Sequence, residues 1–329
     1  MERLRVAVLD DYQRIALRLA DWSALGERAE VVVFHDHLDE AQAVSELQEF
    51  DVLCLMRERM AMPRGLLERL PRLKLICTTG AKHRTLDEEA ARERGIELLA
   101  AAGSDAGRSA TAELAWGLIL SLMRGIPREA QGMREGAWQT HVGRVLRGKT
   151  LGLLGLGKLG RQMVPVARAF GMDVLAWSPN LTPGAASEAG AAYASKEELF
   201  AGSDVVSLHL VLGERSRGIV SREDLARMKP DAFLVNTARA GLVDTDALYE
   251  ALQQRRIAGA AIDVFDAEPL PADDRFRALD NVVLTPHLGY ATEEQMRAFH
   301  QGTVDNLAAW LARSSGHAAG ETRSGFSPP

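Results

Sequence analysis

Three ionisable residues of complementary type each stand just past an apolar, strand-like run in the second half of the chain. Arg239 follows the run 233–235, in Asn236-Thr237-Ala238-Arg239-Ala240-Gly241. Glu268 follows 260–264, and His287 follows 282–284 in Thr285-Pro286-His287-Leu288-Gly289. A guanidinium is a planar fork that fits a carboxylate bidentately. A histidine titrates near neutrality and can give or take a proton. A carboxylate beside it favours the imidazolium and fixes the ring. Together these groups suit hydride chemistry at the carbon next to a carboxylate. Arg239 would hold a 2-keto or 2-hydroxy acid and polarise its carbonyl. His287 would be the acid in reduction and the base in oxidation, with Glu268 as its partner. Singly, each also has a plain structural use: a surface cation, a capping carboxylate, a loop histidine.

Hydride chemistry needs a carrier, and the chain offers a place for one. Leu151-Gly-Leu-Leu-Gly155-Leu156-Gly157-Lys158-Leu159-Gly160 reads as a strand, a G-x-G-x-x-G turn and a helix start. Gly155 permits the tight turn, Gly157 lets backbone approach a pyrophosphate, and Gly160 lets helix and strand pack closely. The phosphates would meet unpaired N–H groups at the helix N-terminus. An acidic residue is then expected after the second strand to hold the ribose 2′-hydroxyl, but Ser178 stands there. No Arg or Lys lies between Ser178 and Gly190 to meet a 2′-phosphate. The reading leans to NAD and leaves NADP open.

These residues need elements to position them. Strand-like runs at 6–9, 31–34, 52–56 and 73–78 alternate with helical patterns at 15–25, 38–49 and 63–69. A longer helical block follows at 109–124, with another near 127–135 opened by Pro127. A second alternating series covers 151–284, with helical patterns such as 158–171 and 245–254, and 292–312 reads as one long helix. Such alternation predicts an α/β protein of two doubly wound parallel-sheet lobes, with ligands at the strand C-termini.

Composition narrows the class. The chain has 329 residues, 47% hydrophobic and 26% charged, with a net charge of −6. That balance argues against a nucleic-acid or anionic-membrane partner. Cys54 and Cys77 each lie in an apolar run and read as buried free thiols, with no metal site. No apolar segment is long enough to span a bilayer and no leader is read at the N-terminus, so a reducing cytoplasm is the expected compartment.

The chain resembles the D-isomer-specific 2-hydroxyacid dehydrogenase family. The likeness rests on Gly148-Lys149-Thr150 leading into the glycine loop, Ser207-Leu-His209-Leu, Leu234-Val-Asn236-Thr237-Ala-Arg239, Ala261-Ile-Asp263-Val-Phe-Asp-Ala-Glu268-Pro269 and Thr285-Pro286-His287-Leu-Gly289. It runs from about Val6 to about Ala309. The resemblance implies that Arg239, Glu268 and His287 hold the roles above. It implies that Lys158 and Leu159 lie along the pyrophosphate, and that Asp263 holds the nicotinamide carboxamide. Thr237, Ala238 and Arg239 would line the nicotinamide, His209 and Leu210 the adenosine half, and Thr111 would touch the cofactor. It also implies a Rossmann cofactor domain (102–290) inserted in a flavodoxin-like substrate domain (1–101 plus 291–315); the composition after the last helix, rich in Ser, Gly, Ala and Pro, predicts a disordered tail at 316–329. A homodimer through the excursion near 110–147 is expected. So is the lack of a C-terminal regulatory domain of the kind some phosphoglycerate enzymes carry.

Besides Ser178, one departure from the family pattern stands out. In Thr79-Gly80-Ala81-Lys82-His83-Arg84, Lys82 replaces a second glycine in the loop that would meet the substrate carboxylate. Gly80, Ala81, Lys82 and Arg57 are therefore candidate substrate contacts, with Lys82 and Arg57 suited to a second anionic group. The alternative of another class is a catalytically vestigial, NAD(H)-sensing binding or corepressor module on the same fold.

Overall fold

The computed structural model describes residues 3–80 and 83–320, with side chains described as far as Arg313. Ala81, Lys82 and 321–329 lie outside the described residues. The chain forms two compact units, one of Met1–Gly107 with Thr292–Pro329, the other of Arg108–Ala291. The sequence reading put these divisions at 101/102 and 290/291. The first falls later because Gln295 ties the intervening segment to the first unit. Its Oε1 accepts from the Ser104 amide at 3.0 Å, and the Ser104 hydroxyl accepts from the Gly107 amide at 2.9 Å.

In the first unit, strands β1 (Leu4–Val8), β2 (Ala29–Val33), β3 (Val52–Leu55), β4 (Leu75–Thr79) and β5 (Glu97–Ala101) form one sheet in the order β2-β1-β3-β4-β5. All pairs are parallel. That is the flavodoxin-like order. β3 and β4 are buried along their length, as a parallel sheet covered on both faces requires. The last helix, Glu293–Gly320, packs Val304, Leu307 and Leu311 into the same core as Cys54 and Cys77. Those cysteines face each other in register on β3 and β4, and both are free and buried. The helix extends beyond the expected 292–312, so the start of the expected tail is helical. The expected helix at 15–25 is broken. Ala16–Leu19 ends at an extended Ala20, and Asp21 starts a 3-10 stretch, Trp22–Arg28, by accepting from the Ser23 amide.

In the second unit, β6 (Thr150–Leu154), β7 (Asp173–Trp177), β8 (Ala192–Tyr193), β9 (Val205–Leu208), β10 (Phe233–Asn236), β11 (Gly259–Ile262) and β12 (Val282–Leu284) form a sheet in the order β12-β11-β10-β9-β6-β7-β8. All pairs are parallel. Counted from β6, this is the doubly wound dinucleotide-binding order with one more strand at the far edge, and the strand order reverses between β6 and β9. Alternate residues feed opposite faces. Leu151, Leu153 and Val235 pack with Trp116, Ile119 and Met163, while Leu154, Val206 and Leu234 pack with Phe200, Leu225 and Leu248. With both faces covered, function is left to the carboxyl edge of the sheet.

Candidate active site

The glycine loop leaves β6 directly. Gly155 has φ +108°, and a Cβ there would lie 2.8 Å from the His209 carbonyl. A Cβ on Gly160 would lie 2.1 Å from the Gly155 oxygen. Gly157 opens the helix Lys158–Ala169 without a side-chain cap, and a Cβ there would meet nothing within 4 Å. The first-turn N–H groups are thus uncrowded and uncapped by the loop, a cradle for an anionic phosphate. Lys158 is exposed, and Leu159, Ser178 and Leu210 are half-buried. Two buried polar atoms at strand ends lack a partner: the Thr237 hydroxyl and His209 Nδ1. Loop, helix start and orphan polar atoms fit a dinucleotide. His209 itself is buried, with Nε2 2.9 Å from the Ser207 hydroxyl, and burial pushes its pKa down to about 4. It is a neutral ring under the loop.

Arg239, Glu268 and His287 follow β10, β11 and β12, three adjacent strands. His287 Nδ1 lies 2.6 Å from Glu268 Oε2, and the Phe265 amide donates to Glu268 Oε1 at 2.8 Å. Burial would raise the Glu268 carboxyl. The hydrogen bond and charge of His287, the Phe265 amide and the Arg239 charge outweigh it and hold the group below its usual range. Glu268 therefore stays anionic beside the imidazole. His287 has φ +52°, a left-handed conformation uncommon outside glycine. Its ring meets Tyr290 edge-on, with centroids 5.4 Å apart.

Asp263 ties down the loop on either side of His287. This fully buried carboxylate accepts from the Thr285 hydroxyl (2.6 Å) and the amides of Leu288 (2.7 Å) and Gly289 (3.0 Å). Burial raises its pKa despite those bonds. Thr111, at the start of helix Ala110–Arg124, donates to the Gly289 carbonyl at 2.7 Å. Two residues expected beside the cofactor thus also brace the histidine loop. On the arginine side, Ala238 and Arg239 lie in a turn closed by Asn236, with Arg239 Nη1 donating to the Ala238 carbonyl at 2.7 Å.

The first unit presents its own candidates. The Arg57 amide donates to the Thr79 hydroxyl at 2.7 Å, and Arg57 Nη1 reaches the Thr79 carbonyl at 3.4 Å. A Cβ on Gly80 would lie 1.8 Å from Arg57 Nη1, so the guanidinium is laid over that glycine. Arg84 is paired with Glu58, and His83 is buried. Ala81 and Lys82 lie outside the described residues. The sequence reading gave no role to Thr79, Asn236, Phe265, Thr285 or Tyr290. Thr285 and Asn236 carried a visible signal, a hydrogen-bonding side chain at the mouth of a strand in each motif. The Phe265 amide and the Tyr290 ring carried none. Among the described residues, no group of side chains could hold a metal ion, and no helix is long and apolar enough to cross a membrane.

With this geometry in place, comparison with known proteins is informative. The profile of the D-isomer specific 2-hydroxyacid dehydrogenase, NAD binding domain, matches residues 116–289. A hydroxypyruvate reductase of Thermotoga maritima is 36% identical over 302 residues, covering 90% of this chain and 95% of that protein. A D-3-phosphoglycerate dehydrogenase of Methanocaldococcus jannaschii is 38% identical over 270 residues, and the match spans 81% of this chain but 50% of that longer protein. The crystal structure of a phosphoglycerate oxidoreductase from Vibrio cholerae superposes with a TM-score of 0.88 at 37% identity, covering 94% of this chain and 99% of the other.

Proposed function

Because the chain belongs to the D-isomer-specific 2-hydroxyacid dehydrogenase family, we propose that it interconverts a 2-keto acid and its D-2-hydroxy acid, with Arg239, Glu268 and His287 as the working set. The observation that carries this is the 2.6 Å contact between His287 and Glu268 on the same sheet edge as the glycine loop. A bound nicotinamide supplies or accepts the hydride. Arg239 holds the substrate carboxylate and draws electron density from the neighbouring carbonyl. His287 gives its proton to the carbonyl oxygen in reduction and takes it back in oxidation. Glu268, anionic, steadies the cationic ring and keeps Nδ1 engaged, so the other ring nitrogen faces the reaction. The uncapped helix start at Gly157 binds the pyrophosphate, Lys158 and Leu159 lie along it, and Thr237 and Asp263 meet the nicotinamide end.

NAD is the favoured cofactor. Ser178 and the stretch to Gly190 lack a cation, and Arg161 Nε is turned back to the Leu156 carbonyl at 3.3 Å. Arg57 in the first unit, with Lys82, is the candidate reader of a second anionic group on the substrate. The protein is proposed to act as a homodimer through the excursion near 110–147, where Trp138 and Val142 are 74% and 90% exposed. The protein is expected in the cytoplasm. A panel of glyoxylate, hydroxypyruvate, pyruvate and 3-phosphohydroxypyruvate, each with NADH and NADPH, tests the reading. Turnover of at least one keto acid, faster with NADH, is the expected result. Binding of NADH with no turnover across a broad 2-keto acid panel would favour a cofactor-sensing module instead.

A further inference from the structure

Resting on the proposed role of Arg239, we propose that Asn236 is a positioning residue for Arg239, its side-chain amide fixing the turn that carries the guanidinium. Asn236 ends β10 and is buried. Its Oδ1 accepts from the Ala238 amide at 3.0 Å, and its Nδ2 donates to the Arg239 carbonyl at 3.0 Å. One side chain therefore satisfies a donor and an acceptor of the two residues that follow Thr237. The asparagine amide bridges the turn in an Asx-type arrangement, and the Leu242 amide adds a longer 3.3 Å bond to the Arg239 carbonyl. Arg239 leaves that turn with extended backbone (φ −155°) and starts the short 3-10 segment Ala240–Leu242. The direction of its Cα–Cβ bond follows from the two Asn236 contacts.

Asn236 also borders a partly open pocket of about 220 Å³ lined by Val243, Ile262, Val264, Phe265 and Phe276. The Asn236 backbone is anchored separately. Its carbonyl accepts from the Asp263 amide at 3.0 Å, and β10 pairs in register with both β9 and β11. A change at the side chain therefore leaves the strand ladder and the Asp263 brace of His287 in place. An aspartate keeps shape and the acceptor but sets a second oxygen against the Arg239 carbonyl.

The test is a double-mutant cycle of Asn236→Asp with Arg239→Ala, read on kcat/KM for the best keto acid with NADH. In the presence of Arg239, Asn236→Asp should lower kcat/KM by about 10- to 100-fold, because the second oxygen repels the Arg239 carbonyl and displaces the turn that carries the guanidinium. In the Arg239→Ala background it should cost less than about threefold, because a residue that acts through another has nothing left to position. NADH affinity should stay near wild type, and any fall in Tm should be the same in both backgrounds. Equal losses of kcat/KM in both backgrounds, or a parallel loss of NADH affinity, would mean a general structural role and overturn the proposal. A crystal structure of Asn236→Asp separates this from the activity itself. A displaced Arg239 guanidinium supports the proposal even if the wild type turns over no keto acid, and an unmoved one overturns it.

Discussion

The histidines that follow β9 and β12 stand at the same carboxyl edge of one sheet, yet they are built for opposite tasks. His209 is buried, its ring spent on Ser207 and its backbone pressed against Gly155. Burial holds it neutral, with a pKa of about 4. His287 sits in a left-handed turn with its side chain partly exposed, and Nδ1 faces an anionic Glu268. The sheet supplies a place for a histidine, but the neighbours choose its use. A desolvated ring without a carboxylate is an uncharged spacer under the glycine loop. A ring with a carboxylate at 2.6 Å and a way to solvent can carry a proton.

The catalytic side of that contrast is the easier to break. Arg239→Ala should cost roughly 2–5 kcal/mol in kcat/KM, the range for truncating one side of a desolvated charge pair, with NADH affinity little changed. Steady-state kinetics check this, and a loss below tenfold would remove Arg239 from the working set. Glu268→Gln should lower keto-acid reduction at neutral pH by about 10- to 100-fold. A loss below about threefold would show that Glu268 does not act through His287.

The spacer side makes a smaller and different prediction. His209 has a folded pKa below its unfolded value of 6.5. Between about 4 and 6.5 the unfolded chain takes a proton that the folded chain refuses. Its contribution to stability is therefore complete above pH 6.5 and is lost as pH falls toward 4, by up to about 3 kcal/mol. Denaturant unfolding of the wild type and His209→Gln at pH 7 and pH 4.5 checks this. The wild type should lose more stability than the variant on acidification. His83 and His300, also lowered by burial, titrate in both proteins and cancel in the difference.

The sequence made much of this legible. Period-two and continuous apolar runs located most strands of both sheets, and the glycine spacing located the helix start, because those patterns follow from burial and backbone geometry at short range. Arg239, Glu268 and His287 were visible as polar residues past apolar strands. Their joint assignment came from motifs, since strand adjacency is a long-range property that no local spacing encodes. The break at Ala20, the edge strand β8 and the helical extension to Gly320 were not legible: each depends on tertiary contacts or on a weak local preference. The bracing of the histidine loop by Asp263 was hidden for a similar reason. Its partners lie more than twenty residues away in sequence, two of them backbone amides that any residue supplies.

The central claim is that His287 moves the proton in a reaction this chain carries out. It is tested most directly by comparing wild type and His287→Ala in one assay, consumption of reduced nicotinamide with the preferred keto acid, alongside NADH binding measured by fluorescence. The variant is expected to bind NADH within about threefold of wild type and to lose about 10²- to 10⁴-fold in kcat. A variant that binds NADH normally and turns over at near the wild-type rate would contradict it.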